Sequence, residues 1–479
     1  MRLIHFLVAA SFGFSACATA LSQDQKKPEP KQSQFYEAEC ALGTQASDVE
    51  QFHALIHYPF EHSLRFPGMI VGIEKSADHL VKKGAENAKK QLIPPQSPEE
   101  KFLHGIVFGG SKAMFISHVV ESDINGIGVD EPLYNIYDPD TMAKLKKPGG
   151  EPRPGGLVNC KGEPVVELDA FDKSWDAVRL VKETLADRLA SGKYTDVIVI
   201  SMGWNTNQIE AVQNFNSLVH QLKKSAKSDV AFNPYVIGIT WPSEWVSSWI
   251  EPIVRGISVV NKADDADEVG VGWMRAIIQH GVLEVTQDPR YKATRVTVLG
   301  HSFGARATSM AVCHAGILNA PADRGFSNVE PAPNSVSWLI GLQGAYSLNR
   351  YLPGGAGLFD VNYGDCPAVK NHLLTASEND SAAQFAGNVL RASPFAGEIS
   401  AWHSMKDGIH NQMFNFFIAD SHGRVKLVEG VTGERKWNYI DASNLVFYKA
   451  YGTGAGAHSD IYRAPMGSML WNFISKLGN

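Results

Sequence analysis

The sequence predicts an α/β protein: a mostly parallel sheet with helices on both faces, preceded by a helical N-terminal extension. Three observations carry this. From Ser174 onward short β-branched runs alternate with helical stretches, which is the pattern of parallel βαβ units. Between Thr294 and Val312 (TRVTVLGHSFGARATSMAV) the hydrophobic period changes from that of a strand to that of a helix across one glycine-flanked turn. With 479 residues, 44% of them hydrophobic and 20% charged, the chain can bury a large core and is not disordered as a whole. The expected organisation is a leader over residues 1–20, a tether over 21–35, a helical extension over 36–100 and one large domain over 101–479.

In chain order, Arg2 precedes an apolar run from Leu3 to Ala16 and the small residues Ala18, Thr19 and Ala20, the layout of a secretory signal. The run is too short to span a bilayer. Phe14, Ser15, Ala16 and Cys17 also resemble a bacterial lipoprotein cleavage site, with Phe14 where leucine is usual. Two outcomes of export stay open: release into the periplasm or medium, or membrane anchoring through a lipidated Cys17. An uncleaved buried helix is the alternative to both. Ser22 to Gln34 is polar and rich in lysine and proline, a flexible tether by composition. Asp48 to about Gln91 reads as helical, and Pro94, Pro95 and Pro98 break that pattern. Ile106–Phe108 and Ala113–Val120 read as first strands, and KPGGEPRPGG between Lys147 and Gly156 as a loop. The regular alternation then runs helix Ser174–Leu189, strand Asp196–Ser201, helix Gln208–Lys224, strand Tyr235–Thr240 and helix Val269–His280. Beyond the central turn, strands are expected at Val336–Leu342, His372–Thr375 and Trp437–Ile440, and a closing helix at Ile461–Leu477.

The central turn is Gly300, His301, Ser302, Phe303, Gly304, a G-x-S-x-G nucleophile elbow. Its glycines let a strained turn pass close to its neighbours and hold a serine hydroxyl above the sheet edge. In a chain with 43 glycines the bare motif also arises by chance, so the strand before it and the small-residue helix after it are what give it meaning. On these residues the chain resembles the α/β-hydrolase superfamily, from roughly Gly105 onward and most clearly from Asp196. That resemblance implies Ser302 as nucleophile, a chain order of serine, acid, histidine, and no cofactor.

A serine alcohol needs a base to remove its proton and an acid to orient that base. His458 fits the late histidine, because it lies in the glycine-rich stretch Gly454 to Asp460 just before the last helix. His403, His410 and His422 compete from a polar excursion between strands. For the acid, the loop after strand His372–Thr375 holds both Glu378 and Asp380. The resemblance favours Asp380, with Glu378 as the alternative; Asp365 precedes the strand and should sit at the wrong end of the sheet. Oxyanion donors are expected from the N–H of Phe303 and from the turn Ser201, Met202, Gly203, Trp204, Asn205. This turn resembles the His-Gly-aromatic-Asn turn of a bacterial branch of the superfamily, which implies Trp204 as second donor, although Met202 stands where that branch has its supporting histidine. The same branch has Trp-Pro-Ser after the following strand, matched here by Trp241, Pro242 and Ser243. Trp241, Trp245 and Trp249 recur every four residues, so Trp241 and Trp245 either line an acyl pocket or belong to the core.

The expected function is therefore an exported serine hydrolase, esterase- or lipase-like, acting on a small-molecule or lipid-like acyl substrate. A non-catalytic surface binding protein on the same scaffold is the alternative that Met202 favours. A net charge of −6 without a basic cluster argues against nucleic acid as a partner. Apart from Cys17, four cysteines remain (Cys40, Cys160, Cys313, Cys366), which permits up to two disulfides in an exported chain, or buried free thiols. No spacing suggests zinc or another metal, and the oligomeric state is open.

Overall fold

In the computed structural model the described residues are 63–75, 93–97, 101, 114–122, 131–135, 170–203, 208–226, 230–241, 263–327, 329–353, 361–383, 394–428, 435–448 and 457–476. The leader, the tether, the KPGGEPRPGG loop, Ile106–Phe108, Trp204, Trp245, Cys17, Cys40 and Cys160 lie outside them.

Among the described residues, eleven strands form one sheet: β1 Gly68–Lys75, β2 Met114–Ser122, β3 Glu131–Asn135, β4 Asp196–Ser201, β5 Pro234–Thr240, β6 Arg295–His301, β7 Val336–Leu342, β8 Val369–Ala376, β9 Phe414–Ala419, β10 Val425–Leu427 and β11 Trp437–Asp441. Their spatial order is β10-β9-β11-β8-β7-β6-β4-β5-β1-β2-β3. Neighbours from β9 across to β1 pair in parallel, and antiparallel pairs occur at the two ends, β10 with β9 and β2 with β1 and β3. Strand β6, which ends at the elbow, lies between β4 and β7 in the middle of the parallel region.

Helices α1 Ala170–Ala190, α2 Gln208–Ser225, α4 Phe303–Cys313, α5 Ile399–Asp407 and α6 Ala464–Lys476 surround the sheet, together with a helical run over residues 263–286, here α3. Within α3, Gly270–Met274 and Ile277–Leu283 are π-helical, and Gly272 departs from helical geometry at φ −94°, ψ −112°. The strand period of two decides which face each side chain supplies. In β4, Val197 and Val199 enter a core with Trp175, Val178, Val181 and Leu185 of α1 and with α3. Ile198 and Ile200 point the other way, into a core with Val212, Phe215, Leu218 and Val219 of α2 and Met469, Leu470 and Trp471 of α6. Full burial of each such aliphatic or aromatic side chain contributes about 1.5–3 kcal/mol, so the two faces hold the sheet from both sides.

The elements expected between Ser174 and the last helix are present within a few residues of their expected ends, while the N-terminal extension needs correcting. Gly68–Lys75, inside the stretch read as helical, is strand β1, parallel to β5 and antiparallel to β2. Met69, Val71 and Ile73 enter one core and Ile70 the other. A strand covered on both faces is apolar throughout, so it shows no alternation that separates it from a buried helix. Residues 68–75 therefore belong to the sheet and not to a separate extension. The polar excursion before β11 likewise contains α5, β9 and β10.

Candidate active site

At the end of β6 the backbone turns sharply: Ser302 has φ 57° and ψ −126°, and α4 begins at Phe303. A non-glycine residue at positive φ costs on the order of 1–3 kcal/mol and persists only when its surroundings impose it. Here they do. The Ser302 N–H donates to the Leu342 carbonyl at 3.0 Å, and the Ser302 carbonyl accepts from Ala305 at 3.0 Å and Ala345 at 3.2 Å. The flanking glycines are required by close approach. A Cβ on Gly300 would lie 2.4 Å from the Ala305 Cα, and one on Gly304 would lie 2.5 Å from the Ser201 carbonyl oxygen.

The turn after β4 presses on the same place. A Cβ on Gly203 would sit 2.5 Å from the Ser302 Cβ and 2.8 Å from the Phe303 nitrogen. Phe303 is the first residue of α4, so its N–H has no acceptor within the helix and adds to the positive end of the helix dipole. Met202 is buried, with its sulfur 3.7 Å from the Tyr462 hydroxyl. The Met202 carbonyl accepts the indole N–H of Trp241 at 2.9 Å. Trp241, which sequence reasoning assigned to a substrate wall or the core, is 3% exposed and braces this turn through its indole. Trp204 and Trp245 lie outside the described residues.

His458 and Asp380 are brought together. The His458 Nδ1 lies 2.8 Å from both carboxylate oxygens of Asp380, which is fully buried. An ionised carboxylate only accepts, so the proton belongs on Nδ1 and the Nε2 lone pair is left to act as a base. Asp380 Oδ1 also accepts the Ala383 N–H at 2.9 Å, and the Ala457 N–H donates to the Asn379 carbonyl at 3.0 Å, tying the loop after β8 to the histidine turn. Burial pushes the Glu398 carboxyl up, and the charge of Asp380 adds to this. Glu378 is exposed, and its backbone N–H donates to the Ser443 hydroxyl at 3.0 Å in the turn after β11.

The competing histidines stand elsewhere. His403 is exposed on α5 against Trp402, with ring centroids 5.1 Å apart, and His422 is exposed in the turn between β9 and β10. Asp420 pairs with Arg424 in that turn, and Asp441 accepts from Ser443. Asp365 precedes β8, at the end of the strand opposite the Asp380 loop.

Sequence reasoning passed over His301, the variable residue of the elbow. It is buried, its Nε2 lies 3.0 Å from the His458 carbonyl oxygen, and its ring packs on the His458 ring at a centroid distance of 4.7 Å. Burial, with the neighbouring His458 adding to it, pushes His301 down to about 3, against the opposing effect of the bond to the carbonyl. These contacts set the His458 turn directly on the elbow. Nothing in the residue type signalled this, since the motif admits any residue there.

Among the described residues, Cys313, Cys366 and His372 hold potential metal-ligand atoms within 4.8 Å of one another, but the two cysteines are joined as a disulfide. Of the pairings that the sequence left open, the structure thus contains Cys313–Cys366.

No protein-family model matches the chain. No curated protein matches it in sequence either. Solved structures that match include an acetylxylan esterase at 0.90 Å resolution, with 11% identity over 60% of this chain and 99% of that one and a TM-score of 0.24. An iodinated complex of acetyl xylan esterase matches with 12% identity over 59% of this chain and 98% of that one, TM-score 0.22. Trichoderma reesei cutinase in complex with a phosphonate inhibitor matches with 16% identity over 40% of this chain and 69% of that one, TM-score 0.17. At scores this low the likeness assigns neither a substrate nor a catalytic residue to this chain.

Proposed function

We propose that this protein is a serine hydrolase that cleaves an acyl bond, with carboxylic esters as the first substrate class to test, through an acyl-serine intermediate. The observation that carries the reading is the hydrogen bond from the His458 imidazole to buried Asp380, in a turn that His301 ties to the elbow where Ser302 stands at positive φ. His458 Nε2 takes the Ser302 proton as the oxygen attacks the acyl carbon, and Asp380 stabilises the imidazolium that forms. The negative charge that develops on the acyl oxygen faces the Phe303 N–H and the N-terminus of α4. We take Trp204 as the second donor, with Gly203 allowing the close approach. His458 then protonates the leaving group, and the same base activates water to release the acid.

A fluorophosphonate probe tests the reading. Labelling of the folded protein that Ser302→Ala abolishes supports the enzyme, whereas no labelling of folded protein leaves the binding-protein alternative. A panel of short-chain, long-chain and amide acyl substrates then assigns the class. Export is proposed on the N-terminal pattern alone. A diacylglyceryl mass on Cys17 would mean anchoring, a start at Leu21 would mean release, and an intact Met1 would refute both.

A further inference from the structure

We propose that His301 is a positioning residue for this reaction: its Nε2–H holds the main-chain carbonyl of His458 and its ring backs the His458 imidazole, so that the nucleophile's own strand carries the base. The inference rests on the serine-hydrolase reading above. It starts from how the His458 turn is tethered. Its side chain is held by Asp380 and its Ala457 N–H by Asn379, both in the loop after β8. Asp460, two residues on, accepts the N–H groups of Phe447 and Tyr448 and pairs with Arg463. All of these ties lead to parts of the chain other than the elbow. The bond from His301, at 3.0 Å, is the described hydrogen bond that joins the histidine turn to the strand bearing Ser302. The ring contact at 4.7 Å and 41° sets the imidazole plane from the same residue. A reacting group displaced by about 1 Å can cost on the order of 10²-fold in rate, so a tether at this point acts on turnover.

The chemistry of the tether also suits the site. A carbonyl oxygen only accepts, so His301 must carry its proton on Nε2, and Nδ1 is bare in the neutral ring. A charged donor here would oppose the imidazolium that His458 becomes in the transition state, and a buried histidine avoids that. Burial and His458 hold it down to about 3, so it stays uncharged at neutral pH. Among the described residues, the charged groups next to this turn are Asp380, bonded to the His458 ring, and the Asp460–Arg463 ion pair two residues further on, while Glu398 feels the Asp380 charge. Glutamine can place an uncharged N–H where Nε2 lies; leucine keeps much of the volume and donates nothing.

The experiment measures kcat, KM and fluorophosphonate labelling rate for His301→Leu and His301→Gln beside wild type and Ser302→Ala. His301→Leu should lower kcat and the labelling rate by roughly 10- to 100-fold with little change in KM. His301→Gln should recover activity to within about threefold of wild type, with the acidic limb of the kcat/KM profile unmoved. Wild-type rates in His301→Leu, a glutamine variant as slow as the leucine one, or a shifted limb in His301→Gln would each overturn the inference while Ser302→Ala stays inactive. Turnover persisting in Ser302→Ala would instead remove the hydrolase reading itself. Should His301→Leu fail to fold, ring 15N shifts of the Ser302→Ala protein give the answer. His301 should remain the neutral Nε2–H tautomer from about pH 5 to about pH 9, and titration in that range or the Nδ1–H tautomer would overturn the inference.

Discussion

Three residues bear most of the proposed chemistry, and their surroundings rank the substitutions. Asp380 is fully buried and meets the His458 Nδ1 with both oxygens, whereas Glu378 is exposed. Without its carboxylate the imidazole is weakly held and favours the wrong tautomer, which costs roughly 10⁴ in rate in serine proteases. Asp380→Asn should therefore be nearly inactive in ester hydrolysis, and Glu378→Gln should retain most activity; the reverse ranking would move the acid to Glu378. Ser302→Ala should lose several orders of magnitude in turnover with an unchanged circular dichroism spectrum, because the hydroxyl makes no helix-capping bond.

At the scale of elements, α4 must start where the elbow needs it, and a buried ion network helps to fix it. Arg306, one turn past Ser302, pairs bidentately with Asp267 of α3, and Arg350 pairs with the same carboxylate from the 3₁₀ turn Leu348–Tyr351. Burial opposes the Asp267 charge, but the two guanidinium groups and their hydrogen bonds outweigh it and hold the carboxyl below its usual range. Asp267→Asn leaves two buried cations without their shared anion, a change that costs about 3–5 kcal/mol in comparable pairs. Urea denaturation should register a loss of that order. Gly304→Ala should be at least as harmful, and it should remove probe labelling as well, since a methyl group there meets the Ser201 and Met202 carbonyls at 2.5 and 2.6 Å.

For the molecule as a whole, the disulfide and the buried histidines set the conditions of stability. Cys313, at the end of α4, is tied to Cys366 before β8 across 53 residues. Closing a loop of that length in the unfolded chain corresponds to about 4 kcal/mol in the chain-entropy account. Reduction, or the paired change Cys313→Ala and Cys366→Ala, should lower the urea midpoint accordingly. Burial pushes both His118 and His301 down to about 3 from 6.5. Between those values the unfolded chain binds the extra protons, so stability is fully present above about pH 6.5 and falls as pH drops towards 3, by about 1.4 kcal/mol per pH unit for each group. Glu398, pushed up by burial, partly offsets this near the acidic end. The urea midpoint should decline from pH 7 to pH 5, and the decline should be shallower in His118→Phe, where the Ser117 hydroxyl keeps its bond to the Gly72 carbonyl.

What the sequence determined by itself was local. The alternation from Ser174 onward located the parallel strands and their helices, because a helix packed on one side writes its period into the chain and so sets off the short β-branched runs between helices. The elbow was legible because a turn at φ 57° wedged between neighbouring backbones needs glycine at Gly300 and Gly304 whatever lies around it. The chain order that the superfamily resemblance supplied asked for a late histidine, and the glycine-rich stretch before the last helix favoured His458 over His403, His410 and His422. Strand β1 was hidden because its burial on both faces removes the alternation, and that burial exists only once β5 and β2 lie beside it. The choice between Asp380 and Glu378 rested on resemblance alone until the fold buried one carboxylate against His458 and left the other in solvent. The bracing of the Met202 carbonyl by Trp241, the grip of His301 on His458 and the pairing of Cys313 with Cys366 were likewise decided by tertiary structure. Each joins residues at least 39 positions apart, and no local periodicity encodes which distant groups meet.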